Sequence, residues 1–196
     1  MAPLQIAVLA AGASTRMGAS DKLAETLQGV PLLRLMVERA LATGQPVLVT
    51  VPGPGPRRDM LEGLDARLIE VADASDGMAA SFRSIGPQAR GQAVMIVLAD
   101  MPEIETGDML ALIDAWREQP DRPVRAATED GTPGQPVVFP ARLVARFGTL
   151  AGDAGARTLL EGERPRLVPL PGRRAVTDLD TPEDWAAWRA ATGIAD

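Results

Sequence analysis

Apolar, β-type runs alternate along this chain with stretches of helical periodicity, and that alternation most limits the folds open to it. Strands are expected at Gln5–Leu9, Val47–Val51, Leu68–Val71, Ala93–Ala99, Val124–Ala127, Pro136–Phe139 and Leu167–Leu170. Between them lie helical patterns. Pro31 sits at a favourable first-turn position, and Leu32, Leu35, Met36 and Ala40 follow at helical spacing. Thr106 can cap a helix whose apolar stripe is Met109, Leu112, Ile113 and Trp116. Thr181-Pro-Glu-Asp184 supplies an N-cap, a proline and two acids for a last helix, on which Trp185 and Trp188 share one core-facing side. Strands alternating with helices bury both sheet faces only in an α/β arrangement: a mostly parallel, doubly wound sheet with helices on both faces. Ala93–Ala99 is apolar throughout, as a central strand of such a sheet must be. The 196 residues suit a single domain. No internal repeat or linker interrupts it. The Pro52-Gly-Pro-Gly-Pro56 stretch reads as a loop, and Glu129–Pro136 as a polar turn.

In such sheets ligands bind beyond the carboxyl ends of the strands. The first strand ends in Leu9-Ala-Ala-Gly12-Ala-Ser14-Thr-Arg16-Met-Gly18, followed by Asp21-Lys22. The small residues from Ala10 to Ser14 let a ligand approach the backbone closely. Successive N–H groups in such a turn make an anion cradle. Arg16 and Lys22 add positive charge where a polyphosphate would lie. A Walker loop needs Gly-Lys-Ser/Thr, but Ala19-Ser20 follows Gly18. The three glycines of a dinucleotide fingerprint are also absent.

Composition narrows the chemistry further. There is no cysteine and no histidine, which removes thiol nucleophiles, disulfides, zinc-thiolate sites, histidine bases and most hydrolase triads. What remains is carboxylate, lysine, arginine, hydroxyl and backbone chemistry. Phosphoryl or nucleotidyl transfer with Mg²⁺ suits that inventory, because it rests on positioning and charge stabilisation. A net charge of −6 with no tyrosine, three Phe and three Trp argues against nucleic acid as a partner. No apolar run reaches the roughly 18 residues of a membrane span, and no signal peptide is read, so the expected location is cytoplasmic.

Asp100 directly follows the central strand in Leu98-Ala-Asp100-Met-Pro102, which puts a carboxylate at a strand tip. Mg²⁺ is commonly held by one or two carboxylates plus substrate phosphates. In Thr177-Asp178-Leu179-Asp180 the two acids share a face of an extended stretch, so either can supply a second ligand, Asp180 ahead of Asp178. Asp180 is equally a normal helix entry, and Asp100 alone could be a turn residue.

Together these motifs resemble the nucleotidyltransferases that activate sugars, isoprenoid precursors and the molybdenum cofactor. The first loop resembles their L-A-A-G-x-S/G-x-R-M-G…K segment, Leu98–Pro102 their L-x-D-x-P, and Asp178–Asp184 their D-I/L-D-T-P-E-D. Gly134-Gln-Pro-Val-Val-Phe139 and Gly152-Asp153-Ala-Gly-Ala-Arg157 resemble the G-H-P-V-x-F and G-D-x-G-A-R motifs of molybdenum cofactor cytidylyltransferases, within the MobA-like NTP transferases. The chain departs at Gln135, where relatives commonly carry His. The similarity runs from Gln5 to Trp185, in the family's order.

The resemblance implies a nucleotide-diphospho-sugar transferase-like fold and transfer of CMP from CTP to the terminal phosphate of molybdopterin, with pyrophosphate released. It implies Lys22, Arg16 and Asp100 in the chemistry and Mg²⁺ on Asp100 and Asp180. Leu9, Ala10, Ala11, Gly12, Ser14, Arg16, Lys22, Gly77 and Ser81 would contact the nucleotide, and Gln135, Asp153 and Arg157 the acceptor. The nucleotide half would be about residues 1–102 and the acceptor half about 103–196 of one domain. A molybdoenzyme or its chaperone would be the downstream partner. Cytosine is expected over guanine because guanylyltransferase relatives usually carry L-A-G-G, and the Ala11 methyl would crowd a purine. The alternatives are a guanylyltransferase for the same cofactor, a cytidylyltransferase for methylerythritol phosphate, and a non-catalytic cofactor-binding or chaperone module.

Overall fold

The computed structural model describes residues 3–12, 21–73, 76–152 and 157–194. Nine strands and seven α-helices are assigned among them. The first two stretches hold β1 (Leu4–Leu9), β2 (Thr26–Leu27), β3 (Val30–Pro31), α1 (Leu32–Leu41), β4 (Val47–Val51), α2 (Pro56–Asp59) and β5 (Arg67–Glu70). The third holds α3 (Met78–Gln88), β6 (Ala93–Leu98), α4 (Thr106–Glu118), β7 (Val124–Ala127), β8 (Pro133–Phe139) and α5 (Ala141–Val144). The last holds α6 (Arg157–Leu160), β9 (Arg166–Pro169) and α7 (Pro182–Thr192).

The main sheet has the order β5-β4-β1-β6-β8-β7-β9. β1 runs parallel to β4 and to β6, β4 to β5, and β7 to β9, whereas β8 is antiparallel to both neighbours. The expected mostly parallel, doubly wound sheet is therefore present, with one reversed strand. The chain leaves β1 toward β4 and β5, then returns on the other side with β6. The crevice between β1 and β6, where winding reverses, is where such sheets bind ligands.

Strand alternation divides the core. Leu4, Ile6 and Val8 of β1, Val47, Val49 and Val51 of β4, and Met95 and Val97 of β6 pack with α1, α4 and the Trp185–Trp188 pair of α7. Their neighbours Ala7, Leu48, Val94 and Ile96 face the other way, toward Phe82 and Ile85 of α3 and Leu143 and Val144 of α5. Period-two side chains that are apolar on both faces require this double cover. The three phenylalanines, Phe82, Phe139 and Phe147, meet edge to face on the second side at centroid distances of 4.8–6.1 Å.

Three local expectations need correction. Pro31 ends β3 and is the N-cap of α1, not its first residue. It closes a hairpin with β2 whose Gln28 and Gly29 both have positive φ, the backbone a two-residue turn demands. Thr106 is the first residue of α4 and not its cap; its hydroxyl donates to the Arg39 carbonyl, while the cap, Glu105, gives its N–H to the Asp108 carboxylate at 2.9 Å. β8 starts at Pro133, not Pro136. Thr181 does cap α7, accepting the Asp184 N–H at 3.1 Å.

Candidate active site

The site forms where β1 and β6 end side by side. Leu9 stands opposite Leu98, and the Ala99 N–H donates to the Leu9 carbonyl at 3.3 Å. Ala99 is thus level with Ala10, and Asp100 emerges one residue beyond it, beside the start of the first loop. Ala10 is held in turn by Thr50 of β4, whose carbonyl and hydroxyl oxygens each accept its N–H at 3.1 Å. The Leu179 N–H donates to the Asp100 carbonyl at 3.1 Å, which brings in the segment before α7. Leu179 is buried, so the acids on either side of it are fixed at the site rim.

Lys22 closes the cluster. Its Nζ lies 2.5 Å from Asp100 Oδ2 and 2.5 Å from Asp180 Oδ1. Burial works against the ammonium, but the two carboxylates outweigh it and hold Lys22 above its ordinary pKa. Asp178 does not join this pair. Loss of hydration, then the charges of Asp100 and Asp180, push its carboxyl above the usual range. Asp100 Oδ1 is buried without a hydrogen-bond partner, so one oxygen at the strand tip is available to a further ligand.

That donor set suits a hard divalent cation such as Mg²⁺. Among the described residues no group of three or more Asp or Glu side chains forms a cage. Two carboxylates completed by substrate phosphates are what Mg²⁺ commonly uses. Asp100 and Asp180 are the residues that would hold it.

Ala11 and Gly12 follow β1 as expected, but Ala11 corrects the argument about base size. Its methyl is buried against Val71 and Ala80. It is packed into the protein, so crowding of a purine cannot be charged to it. The same packing joins the first loop to the start of α3, beside Gly77 and Ser81. Gly77 has a φ of +69°, a left-handed turn into the helix that suits glycine, while Ser81 is buried. Ser14, Arg16 and Asp153 lie outside the described residues.

On the other side, the reversed strand brings the start of β8 to the same edge. Ile96 is opposite Val137, so Gln135 lies level with the end of β6. Gln135 Oε1 is buried and unpartnered. Gly134 has a packing reason: a Cβ there would stand 1.9 Å from the Ala175 carbonyl oxygen. β8 thus presses directly on the turn that leads to Asp178 and Asp180. Arg157 opens α6. Its charge, after burial, lowers the pKa of Arg125 on β7, whose Nε donates to the Gly134 carbonyl at 2.8 Å.

Two residues of this region were missed from sequence. Arg125 carries no motif and is recognisable only once β7 and β8 are paired. Arg57 looks like one of two adjacent basic residues in a Pro/Gly-rich turn, yet it is buried and bonded to the first loop.

The chain is similar to several known proteins. The curated "Bifunctional protein GlmU" of Sorangium cellulosum (strain So ce56) is 28% identical over 188 residues, which are 91% of this chain and 37% of that protein. The chain thus spans little more than a third of that relative. Rv0371c from Mycobacterium tuberculosis H37Rv is 23% identical, with a TM-score of 0.77 over 96% of this chain and 98% of that one. A further structure of it is a complex with manganese, matched at 21% identity and a TM-score of 0.77 over 94% and 97% of the two chains. Molybdopterin-guanine dinucleotide biosynthesis protein A from Archaeoglobus fulgidus is 14% identical, with a TM-score of 0.70 over 96% and 98%. These structures share the fold. The family model described as the MobA-like NTP transferase domain matches residues 6–168, and the chain belongs to that family.

Proposed function

We propose that this protein is a Mg²⁺-dependent nucleotidyltransferase that joins CMP from CTP to the terminal phosphate of molybdopterin. An oxygen of the acceptor phosphate attacks the α-phosphorus, the bond to the β-phosphate oxygen breaks, and pyrophosphate leaves. The observation that carries this reading is the meeting of Lys22, Asp100 and Asp180 where β1 and β6 end. When bound, Mg²⁺ supplies charge neutralisation for the phosphates. Lys22 stabilises negative charge that develops on the α-phosphate and leaving group, and Arg16 is assigned the same task. Asp100 and Asp180 would hold the metal. The acceptor phosphate is already ionised near neutral pH, so a chain without histidine needs no general base.

The first half, to about residue 102, takes the nucleotide through Leu9–Gly12, Ser14, Gly77 and Ser81. The second takes the acceptor. Its anionic character is supported by the mutual repulsion of Arg125 and Arg157, which a phosphate lying near both would relieve. Molybdopterin itself is supported by the Gly134–Phe139 and Gly152–Arg157 motifs, and CTP by the same resemblance. Guanylyl transfer to the same cofactor is the second reading, because Ala11 is packed against Val71 and Ala80 and so gives no ground for excluding a purine. A molybdoenzyme or its chaperone would receive the product.

The test is incubation with Mg²⁺, molybdopterin and each of the four NTPs, with the dinucleotide identified by mass. A cytosine dinucleotide made in preference to the guanine one supports the proposal. Equal or greater guanine product selects the second reading. Binding of NTP with no product defeats both.

A further inference from the structure

β4 is followed by Pro52-Gly-Pro-Gly-Pro56, and this loop turns the chain back over the end of β1. Gly53 and Gly55 both have a φ of +137°, which favours glycine. The turn delivers α2, and with it Arg57, which is 7% exposed. A buried guanidinium must be paired and hydrogen-bonded. Arg57 Nη1 donates to the Ala10 carbonyl at 2.6 Å and to the Gly12 carbonyl at 2.7 Å. On its other side Nε and Nη2 donate to Asp21 Oδ2 at 2.6 Å and Oδ1 at 2.8 Å. One planar group therefore joins residue 12 to residue 21, the two sides of the first loop.

Asp21 is the neighbour of Lys22. Its Oδ1 also accepts the Leu23 N–H at 3.1 Å, and Leu23 is buried in the main core. Lys22 thus projects from a backbone pinned on both sides, by Arg57 through Asp21 and by Leu23 through packing. We infer that Arg57 is a positioning residue: it fixes the gap across the nucleotide loop and the direction in which Lys22 leaves it. The inference rests on the reading of that loop as the NTP subsite. It goes beyond that reading, because Arg57 acts through the loop's carbonyls and Asp21. Lysine cannot replace it. The clamp needs a bidentate fork toward the carboxylate and further N–H donors aimed at two carbonyls.

The test compares wild type, Arg57→Lys, Asp21→Asn and the double variant by two measurements. One is calorimetric binding of Mg²⁺-CTP and Mg²⁺-GTP. The other is amide exchange in the ligand-free protein, read in peptides containing residues 10–12 and 21–24. Arg57→Lys keeps the charge and should still weaken NTP binding about tenfold to a hundredfold, the range expected when hydrogen bonds to a charged group are lost. Exchange should quicken in those peptides and stay unchanged in α4 and α7. Asp21→Asn should do the same, and the double variant should be no worse than the weaker single one, since both break one clamp. Wild-type binding and exchange in Arg57→Lys would overturn the inference. So would faster exchange throughout the chain, which would make Arg57 a general stabiliser of the fold. If wild type bound no NTP, the functional reading would fail, and the exchange comparison would still decide whether Arg57 holds the loop.

Discussion

Replacing Lys22 by methionine keeps most of the side chain's bulk and removes the charge that separates two acids. Asp100 Oδ2 and Asp180 Oδ1 each lie 2.5 Å from Nζ, so they are no more than about 5 Å apart. Two unit negative charges at about 5 Å repel by about 3 kcal/mol at the effective dielectric of about 20 suited to partly buried sites. All three side chains are mostly shielded from water, which keeps that repulsion from being screened away. Some of it is relieved by side-chain movement, so Lys22→Met should lose about 1–3 kcal/mol of stability in EDTA. The same substitution leaves a site with two acids and no built-in cation. Ligand-free Lys22→Met should therefore bind Mn²⁺ at least about tenfold more tightly than wild type, since about 1.4 kcal/mol of relieved repulsion suffices for that factor. Millimolar Mg²⁺ should recover most of the lost stability. Urea unfolding with and without Mg²⁺, together with Mn²⁺ titration followed by electron paramagnetic resonance, reads both effects. Unchanged stability and unchanged Mn²⁺ affinity would refute the claim that the Lys22 ammonium holds the pair together.

Gly134→Ala should be strongly destabilising for so small a change, by about 1–3 kcal/mol or more, because its Cβ would meet the Ala175 carbonyl oxygen at 1.9 Å and force β8 or the turn to move. Thermal unfolding reads the cost, and weaker Mn²⁺ binding reads the displacement of Asp180; wild-type values for both would show that the approach is not tight. Arg142 holds Glu163 with a two-pronged bond at 2.6 and 2.7 Å, and that bond, ahead of the opposing effect of desolvation, keeps the Glu163 carboxyl below its usual range. A carboxylate whose pKa is depressed on folding contributes stability above its unfolded value, here near 4.5, and the contribution disappears as pH falls through the folded value. Glu163→Gln should therefore cost at most about 1 kcal/mol at pH 7, given the exposure of Arg142, and nothing at the acid end, as measured by urea unfolding at both pH values. Arg157→Ala should raise KM for molybdopterin and leave KM for the nucleotide near wild type; a rise confined to the nucleotide would remove the acceptor half from its assigned place.

The architecture was legible because the apolar runs are long and two-sided. Ala93–Ala99 reads as central, and β6 is the strand between β1 and β8. Lys22, Asp100 and Asp180 were legible because each belongs to a short motif, and strand order then brings the motifs together. The reversal of β8 was hidden, since an apolar strand carries no mark of its direction. Gly134 looked like part of a ligand motif, and its requirement appears only when Ala175 lies against it. Ala11 misled for a related reason: sequence places the residue in the loop but not the direction of its methyl, which turns toward Val71 and Ala80. Arg57 was invisible because its partners lie on loop residues 36 or more positions away.

Nucleotidyl transfer is assigned to the place where Lys22, Asp100 and Asp180 meet. Pyrophosphate release with Mg²⁺, molybdopterin and CTP or GTP, run side by side on wild type and Asp100→Asn, tests this assignment. Wild type should release pyrophosphate in an acceptor-dependent way. Asp100→Asn should lose about a hundredfold to a thousandfold of that rate, the usual cost of removing one fixed electrostatic contact to a transition state, while still unfolding cooperatively. No acceptor-dependent release from either nucleotide, or release that survives intact in Asp100→Asn, would contradict this assignment.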